Sequence, residues 1–286
     1  MAPKPDTVLG VLRAAEGYLQ ARAVDAPRRS AELLIAHVLG ATRLQLYLLH
    51  DRPLGEDERA RLRAMVAERG RGVPLAYILG EVEFFGLALS ITRDVLVPRP
   101  ETEGLVELAV ELAPRGARCV DLGTGSGAIA VALAHARDDV TVVAVDDSPA
   151  AIEVARRNVE RHGLAARTEL RCGSWWQPLR DEPPFDLLVA NPPYVDPQRP
   201  DLLAPEVAAH EPHHALFAEG PADGAYRAIL DGAAAHLRSG APLLLETGVD
   251  TAQRALALLR DASFLEHSEL RDDLAGLPRY LLARRP

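Results

Sequence analysis

Apolar positions recur with two different periods along the chain, and the change falls near residue 80. Before it the spacing is helical. Val8, Leu12, Ala15 and Leu19 share one face of Thr7–Ala23, and Ala31, Leu34, Ile35 and Val38 do the same within Arg28–Leu39. Asp25-Ala26-Pro27 reads as a helix start, with Asp25 as its cap, and Gly40 as the stop. A short helix is expected over Thr42–Leu49. Another is expected from 55 to 70, with Glu56, Asp57 and Glu58 placed to favour its amino end. Residues 1–80 are therefore expected to form a helical domain that recognises a partner. Residues 81–98 are expected to be a linker built on a β-hairpin around Phe84–Ile91.

Beyond the linker, strand and helix signals alternate over residues 99–286. Strands are expected at Ala117–Leu122, Thr141–Val145, Thr168–Cys172, Phe185–Ala190 and Pro242–Glu246. Helices are expected over Thr102–Leu112, Ala128–Ala136, Pro149–His162, from about Ala222 to Leu237, and Thr251–Leu259. A final hairpin pairs Glu266–Leu270 with Tyr280–Ala283. This alternation predicts an α/β domain, a mostly parallel sheet with helices on both faces and an antiparallel end.

Composition narrows the classes. Of 286 residues, 48% are hydrophobic, enough for a real core, and no apolar run reaches the length of a membrane span. The opening Met1-Ala2-Pro3-Lys4-Pro5-Asp6 lacks the apolar core of a signal peptide. Cys119 and Cys172 make neither a disulfide framework nor a metal site, so a cytoplasmic protein without a metal is expected. The formal charge of −9 argues against nucleic acid as the main partner.

Asn191-Pro192-Pro193-Tyr194 ends the apolar run that begins at Phe185. Each proline fixes its own φ and keeps the residue before it out of the helical region, so the turn is stiff. A stiff turn after a strand presents the Asn191 amide, the Pro192 carbonyl and the Tyr194 ring as one surface, at the sheet edge where open α/β folds bind ligands. That surface suits a planar NH2 group, a poor nucleophile because its lone pair is delocalised. Two acceptors draw such a nitrogen forward and stabilise its developing charge, and a ring stacks beside it. A Pro-Pro turn with Asn191 capping a backbone group is the plain alternative.

Asp121-Leu122-Gly123-Thr124-Gly125-Ser126-Gly127 follows a strand and opens a helix, which suits a ligand at the helix amino end. Gly123, Gly125 and Ala128 also satisfy a dinucleotide fingerprint. Asp146, at the end of the second parallel strand, is placed to bind ribose hydroxyls in either kind of cofactor. Trp175 and Trp176 follow the third, where a ring can cover an adenine. The turn at 191–194 has no evident role in hydride transfer but makes sense beside a sulfonium donor. His213-His214 lacks a third ligand at metal spacing and reads as structural or surface.

These residues resemble the HemK/PrmC family of protein-glutamine N5-methyltransferases. The likeness spans nearly the whole chain and includes Pro74–Gly80, Val97–Glu103, Asp121–Gly127, Ala144–Asp146, Asn191–Tyr194 and Asp273–Arg279. It implies a class I S-adenosylmethionine-dependent methyltransferase domain, Rossmann-like, behind a small helical bundle. It implies S-adenosyl-L-methionine as donor, S-adenosyl-L-homocysteine as product, and the glutamine of the Gly-Gly-Gln motif of a class 1 peptide chain release factor as acceptor. Cofactor contacts are implied for Gly123, Thr124, Gly125, Ser126, Gly127, Asp146, Trp175 and Asn191. Catalytic contacts are implied for Asn191, Pro192 and Tyr194. Substrate contacts are implied for Asn191, Pro192, Pro193, Tyr194, Arg99 and Glu101. A monomer that neither binds nucleic acid nor meets a membrane is expected. Residues 217–224 and 245–253 depart from the family pattern. The rival readings are an adenine-N6 methyltransferase acting on nucleic acid, glutamine methylation of another translation protein, and a binding module with a relic cofactor site.

Overall fold

A computed structural model describes residues 6–196, 198–199, 201, 203–217, 221 and 223–286. The chain divides into two compact units: residues up to Gly80 together with Ala204–His210, and Glu81–Leu203 together with Glu211–Pro286.

The first unit is helical: α1 (Val8–Gln20), α2 (Pro27–Leu39), α3 (Arg43–Leu48), α4 (Glu56–Arg69) and α5 (Leu75–Leu79). Its core is the apolar face read from the spacing, with Leu19, Leu34 and Ile35 wholly buried. Each contributes about 1.5–3 kcal/mol by leaving water. Thr7 caps α1, and Thr42 and Gln45 form a capping box on α3. The start of α2 differs from expectation. Ala26, not Asp25, is its cap residue, with φ +44° and no side-chain bond. Pro27 takes the first helical position and so hands the cap to the residue before it. Helix α5 was not expected as a helix, since five residues are too few to display a period. In the same unit the later α9 (Pro205–His210) is fastened by Arg69, whose Nη1 donates to Glu206 Oε2 at 2.6 Å.

The second unit opens with the hairpin β1 (Glu81–Phe84) and β2 (Leu87–Ser90). It turns on Phe85 and Gly86, both with positive φ, as a tight hairpin of right-handed strands requires. The first strand begins at Glu81 rather than Phe84, because Glu-Val-Glu-Phe alternates with the pleat and buries only Phe84. Next come α6 (Pro100–Leu112), β3 (Arg118–Leu122), α7 (Ala128–Ala136), β4 (Thr141–Asp146), α8 (Pro149–Arg161), β5 (Thr168–Cys172) and β6 (Leu187–Ala190). The unit continues with α10 (His213–Leu216), α11 (Gly224–His236), β7 (Pro242–Glu246), α12 (Ala252–Asp261), β8 (Glu266–Asp272) and β9 (Pro278–Arg284). Ala222, the expected start of α11, lies outside the described residues, as do residues 218–220 of the irregular segment.

The seven strands β3–β9 pair in the order β5-β4-β3-β6-β7-β9-β8. The first five are parallel, and β9 and β8 add an antiparallel edge, as expected. Strands β6 and β7 are buried at every residue, which accounts for their unbroken apolar runs. The chain moves outward from β3 to β5 and then returns to β6. That reversal places a crevice beyond the carboxyl ends of β3 and β6.

Candidate active site

The loop after β3 is shaped by its glycines. Gly123, Gly125 and Gly127 all have positive φ, and a side chain on Gly127 would meet Ala155 of α8 at about 3.1 Å. Gly123 and Thr124 donate their backbone N–H groups to Val145 O at 2.8 and 2.9 Å, which ties the loop to β4. Thr124 and Ser126 are buried rather than open to the crevice. The Thr124 hydroxyl donates to Asp121 Oδ2 at 2.5 Å, and the Ser126 carbonyl accepts from Asn158 Nδ2 at 2.8 Å. Asp121 is fully buried, its Oδ1 has no partner, and burial pushes its carboxyl up to about 7.

Beyond the loop lies a cavity of about 260 Å³. Gly123, Gly125, Asp146, Trp175, Asn191 and Pro193 all line it. Asp146 sits at the carboxyl end of β4, where its Oδ2 accepts from Gly125 N at 2.8 Å and its Oδ1 from Ser148 N at 3.0 Å. Burial raises its pKa, against those two bonds. Trp175 has φ +45°, a conformation that costs a non-glycine residue about 1–2 kcal/mol, and it is only partly buried. Trp176 turns the other way, into the core, where its Nε1 donates to Ile229 O at 2.8 Å and its ring stacks on His236. Of the two tryptophans, only Trp175 lines the cavity.

Asn191 leaves β6 at the cavity wall, and its Nδ2 donates to Thr102 Oγ1 at 3.3 Å. Pro192 is buried. Tyr194 packs on the core, with its hydroxyl 3.5 Å from Glu246 Oε1. Burial pushes the Tyr194 phenol above its ordinary range, and the Glu246 charge adds to this. The turn thus shows one end to the cavity and tucks the other against β7.

The other expected site residues divide. Arg99 is the cap residue of α6, and its Nη2 donates to Glu211 Oε1 at 2.7 Å instead of lining the cavity. Glu101 is exposed, and its carbonyl accepts from the Tyr280 hydroxyl at 2.7 Å. His214, read as structural or surface, is exposed and borders the cavity from α10. Sequence reasoning missed Asp94, Val95 and Leu96, which line the cavity from the loop after β2. It also missed the supporting groups Glu211, Thr102 and Glu246. A charged residue at the carboxyl end of the apolar run Pro242–Leu245 was the available signal for Glu246. Among the described residues no three His, Cys, Asp or Glu side chains are grouped to hold a metal ion. A larger hollow of about 540 Å³ is lined by Arg118, Thr141 and Thr168 at the amino ends of β3, β4 and β5. Ligands of open α/β sheets sit at the opposite edge.

Residues 10–80 match the family model described as the PrmC N-terminal domain, and 103–221 match the methyltransferase small domain. A "Release factor glutamine methyltransferase" of Geobacter sulfurreducens is 42% identical over 93% of this chain and 93% of its own. A protein of that name from Cereibacter sphaeroides is 43% identical over 96% and 97%. In fold, the hMettl16 catalytic domain, solved with MAT2A 3'UTR hairpin 6, superposes with a TM-score of 0.56 at 19% identity, over 80% of this chain and 82% of that one. The Thermus thermophilus 16S rRNA N2 G1207 methyltransferase, solved with AdoMet and guanosine, gives 0.52 at 21% identity over 72% and 50%. At those identities the likeness concerns the fold alone. Among the described residues no helix is long and apolar enough to cross a membrane.

Proposed function

The chain belongs to the release factor glutamine methyltransferase family, and from that premise we propose that it methylates the side-chain nitrogen of a glutamine in a protein. The acceptor is the glutamine of a Gly-Gly-Gln segment in a class 1 peptide chain release factor, S-adenosyl-L-methionine is the donor, and S-adenosyl-L-homocysteine is the product. One observation carries this reading: Asn191 lines the same cavity as Asp146 and Trp175. An amide-binding turn and an adenosine-binding wall therefore share one space.

The lining fits an adenosine-type cofactor. Asp146 offers carboxylate lone pairs at the carboxyl end of β4, where ribose hydroxyls bind in such folds. Glycine at 123 and 125 leaves the loop backbone open to the ligand. Trp175 provides a ring face for an adenine. When bound, S-adenosylmethionine supplies a methyl group activated by a positive sulfur.

The turn then acts on the acceptor. With Nδ2 committed to Thr102, the Asn191 Oδ1 is left to accept one N–H of the substrate amide, and the Pro192 carbonyl accepts the other. Two fixed acceptors stabilise the positive charge that grows on the nitrogen as its N–C bond forms and the S–C bond of the donor breaks, and the acidified N–H proton then leaves along the hydrogen bond to Asn191 Oδ1 to solvent. Tyr194 flanks the flat amide, and Pro193 closes the cavity beside it. Most of the acceleration is positional, since a held acceptor and donor react as one molecule. Arg99, through Glu211, and Glu101, through its carbonyl, fix the head of α6 that carries Thr102, and the first helical unit recognises the protein substrate. The enzyme works as a monomer in the cytoplasm.

Incubation with a methyl-labelled donor and, in parallel, a release factor, a ribosomal protein and duplex DNA tests this. Label entering the release factor supports it. Label entering DNA instead favours the adenine-N6 reading, to which the charge of −9 is opposed.

A further inference from the structure

Among the described residues of the second unit, the large apolar side chains left exposed are Val249, Leu274 and Leu277. Val249 follows β7, and the two leucines lie in the turn between β8 and β9. Strand β9 runs antiparallel to β7 and sets Tyr280 opposite Glu246, so both loops stand at the carboxyl end of β7. Single exposed apolar residues are ordinary on a surface, but a unit that gathers all of its large ones at one edge is not. The turn belongs to the Asp273–Arg279 segment, which takes no part in the proposed methyl transfer.

The turn is firmly built. The Asp273 side chain is 5% exposed, and its Oδ1 accepts from Ala275 N at 2.9 Å and Leu277 N at 3.0 Å. Its Oδ2 accepts from Arg279 Nε at 3.4 Å. Asp273 N donates to Leu277 O at 2.8 Å, and Gly276 N to Asp273 O at 2.9 Å. Inside this frame Leu274 is fully exposed. The frame is also tied to the catalytic turn. Arg279 Nη1 donates to Thr247 O at 3.2 Å, and Thr247 N donates to Arg279 O at 2.9 Å. Two residues outward from that pair stand Val249 and Leu277. Between Thr247 and Val249, Gly248 lies so close to the Tyr194 ring that a side chain there would meet it at 2.9 Å.

We propose that Val249, Leu274 and Leu277 form a docking ledge for the protein that carries the acceptor glutamine, receiving an apolar side chain of that protein with cationic residues beside it. This rests on the reading of a protein glutamine as the acceptor. Place and charge identify the occupant. A glutamine that reaches Asn191 brings its own protein surface to the edge beside Tyr194, where a small molecule would need no ledge. Asp250, Asp272 and Glu101, whose carbonyl holds the Tyr280 hydroxyl, are exposed at this edge. The nearby Arg271 and Arg279 are already paired, with Glu269 and Asp273. The free charge around the ledge is therefore acidic and suits a basic partner. A turn fixed in advance loses little freedom on binding. The ledge holds the bound protein equally in ground and transition state, so it governs KM and leaves kcat alone.

The experiment measures kcat and KM for release factor on the full chain, with donor affinity by calorimetry and thermal unfolding on each variant. Leu274→Ala is expected to raise KM roughly tenfold, the worth of one leucine side chain leaving water. Its kcat, donor affinity and melting temperature should match wild type, since Leu274 buries nothing in the free protein. Leu274→Met should recover most of the loss. The double variant Asp250→Asn with Asp272→Asn should raise KM several-fold at low salt and converge on wild type at high salt. A wild-type KM in Leu274→Ala overturns the ledge. So does a loss shared by kcat, donor affinity or melting temperature, which would assign Leu274 to the fold. A wild-type KM in the double variant at low salt overturns the cationic partner. A wild type that methylates no glutamine overturns the acceptor reading and this inference with it.

Discussion

Arg99 Nη2 donates to Glu211 Oε1 at 2.7 Å, and the Glu211 side chain is 1% exposed. The other Glu211 oxygen accepts from Val97 N at 3.2 Å. The pair pins the stiff segment between Pro98 and Pro100 at the head of α6. Removing one partner of a buried pair leaves a bare charge. Arg99→Ala is therefore expected to cost about 3 kcal/mol, and adding Glu211→Gln in that background to recover part of it, read by denaturant unfolding. Unchanged stability with a weakened affinity for release factor would place Arg99 at the substrate instead.

Gly127→Ala tests the glycine loop. Its backbone has φ +79°, and the added carbon would press on Ala155. The expected cost is about 2 kcal/mol, with a fall in donor affinity as the loop shifts. Thermal unfolding and calorimetry measure the two. A neutral change would mean that loop and helix part without strain.

Asp146→Asn should weaken donor binding by roughly 10- to 100-fold, the range for hydrogen bonds to a charged acceptor. It should leave kcat at saturation less affected. Because burial raises the Asp146 pKa, wild-type affinity is expected to begin falling at a higher pH than an ordinary carboxylate would give. Calorimetric titration across acid pH reads both effects.

Glu246 also makes a stability prediction of definite sign. Its pKa rises from an ordinary 4.5 unfolded to about 7 folded. Between those values the folded state holds a proton that the unfolded state has released, so this group's contribution falls as pH rises through the window and levels off above it. The shift corresponds to roughly 3 kcal/mol. Glu246→Gln removes this term, so its melting temperature relative to wild type should improve from pH 5 to pH 8. A constant difference would show that Glu246 keeps its ordinary pKa.

Much of this was legible in the chain. The helical spacing from Val8 to Leu19, the alternation from Ala117 onward and the closing hairpin all depend on local periods, which the sequence displays directly. The loop at 123–127 and the turn at 191–194 were visible because glycine and proline restrict the backbone wherever they occur. Glu211 and Thr102 were not visible, because each acts through a partner more than 80 residues away. Thr124 and Ser126 stand in the expected loop but face inward, since of this loop only Gly123 and Gly125 border the cavity. His214 is exposed, as a surface residue should be, but its place at the cavity could not be read, because it depends on how α10 is turned and four residues carry no period.

Tandem mass spectrometry of a release factor, after incubation with S-adenosylmethionine and either wild type or Asn191→Ala, tests the central claim most directly. Wild type is predicted to leave one methyl group on the glutamine of Gly-Gly-Gln. Asn191→Ala is predicted to be slower by roughly 100-fold or more, the usual loss for one fixed transition-state partner, with donor binding retained. Unmodified glutamine with wild type, or full methylation with Asn191→Ala, would contradict the account.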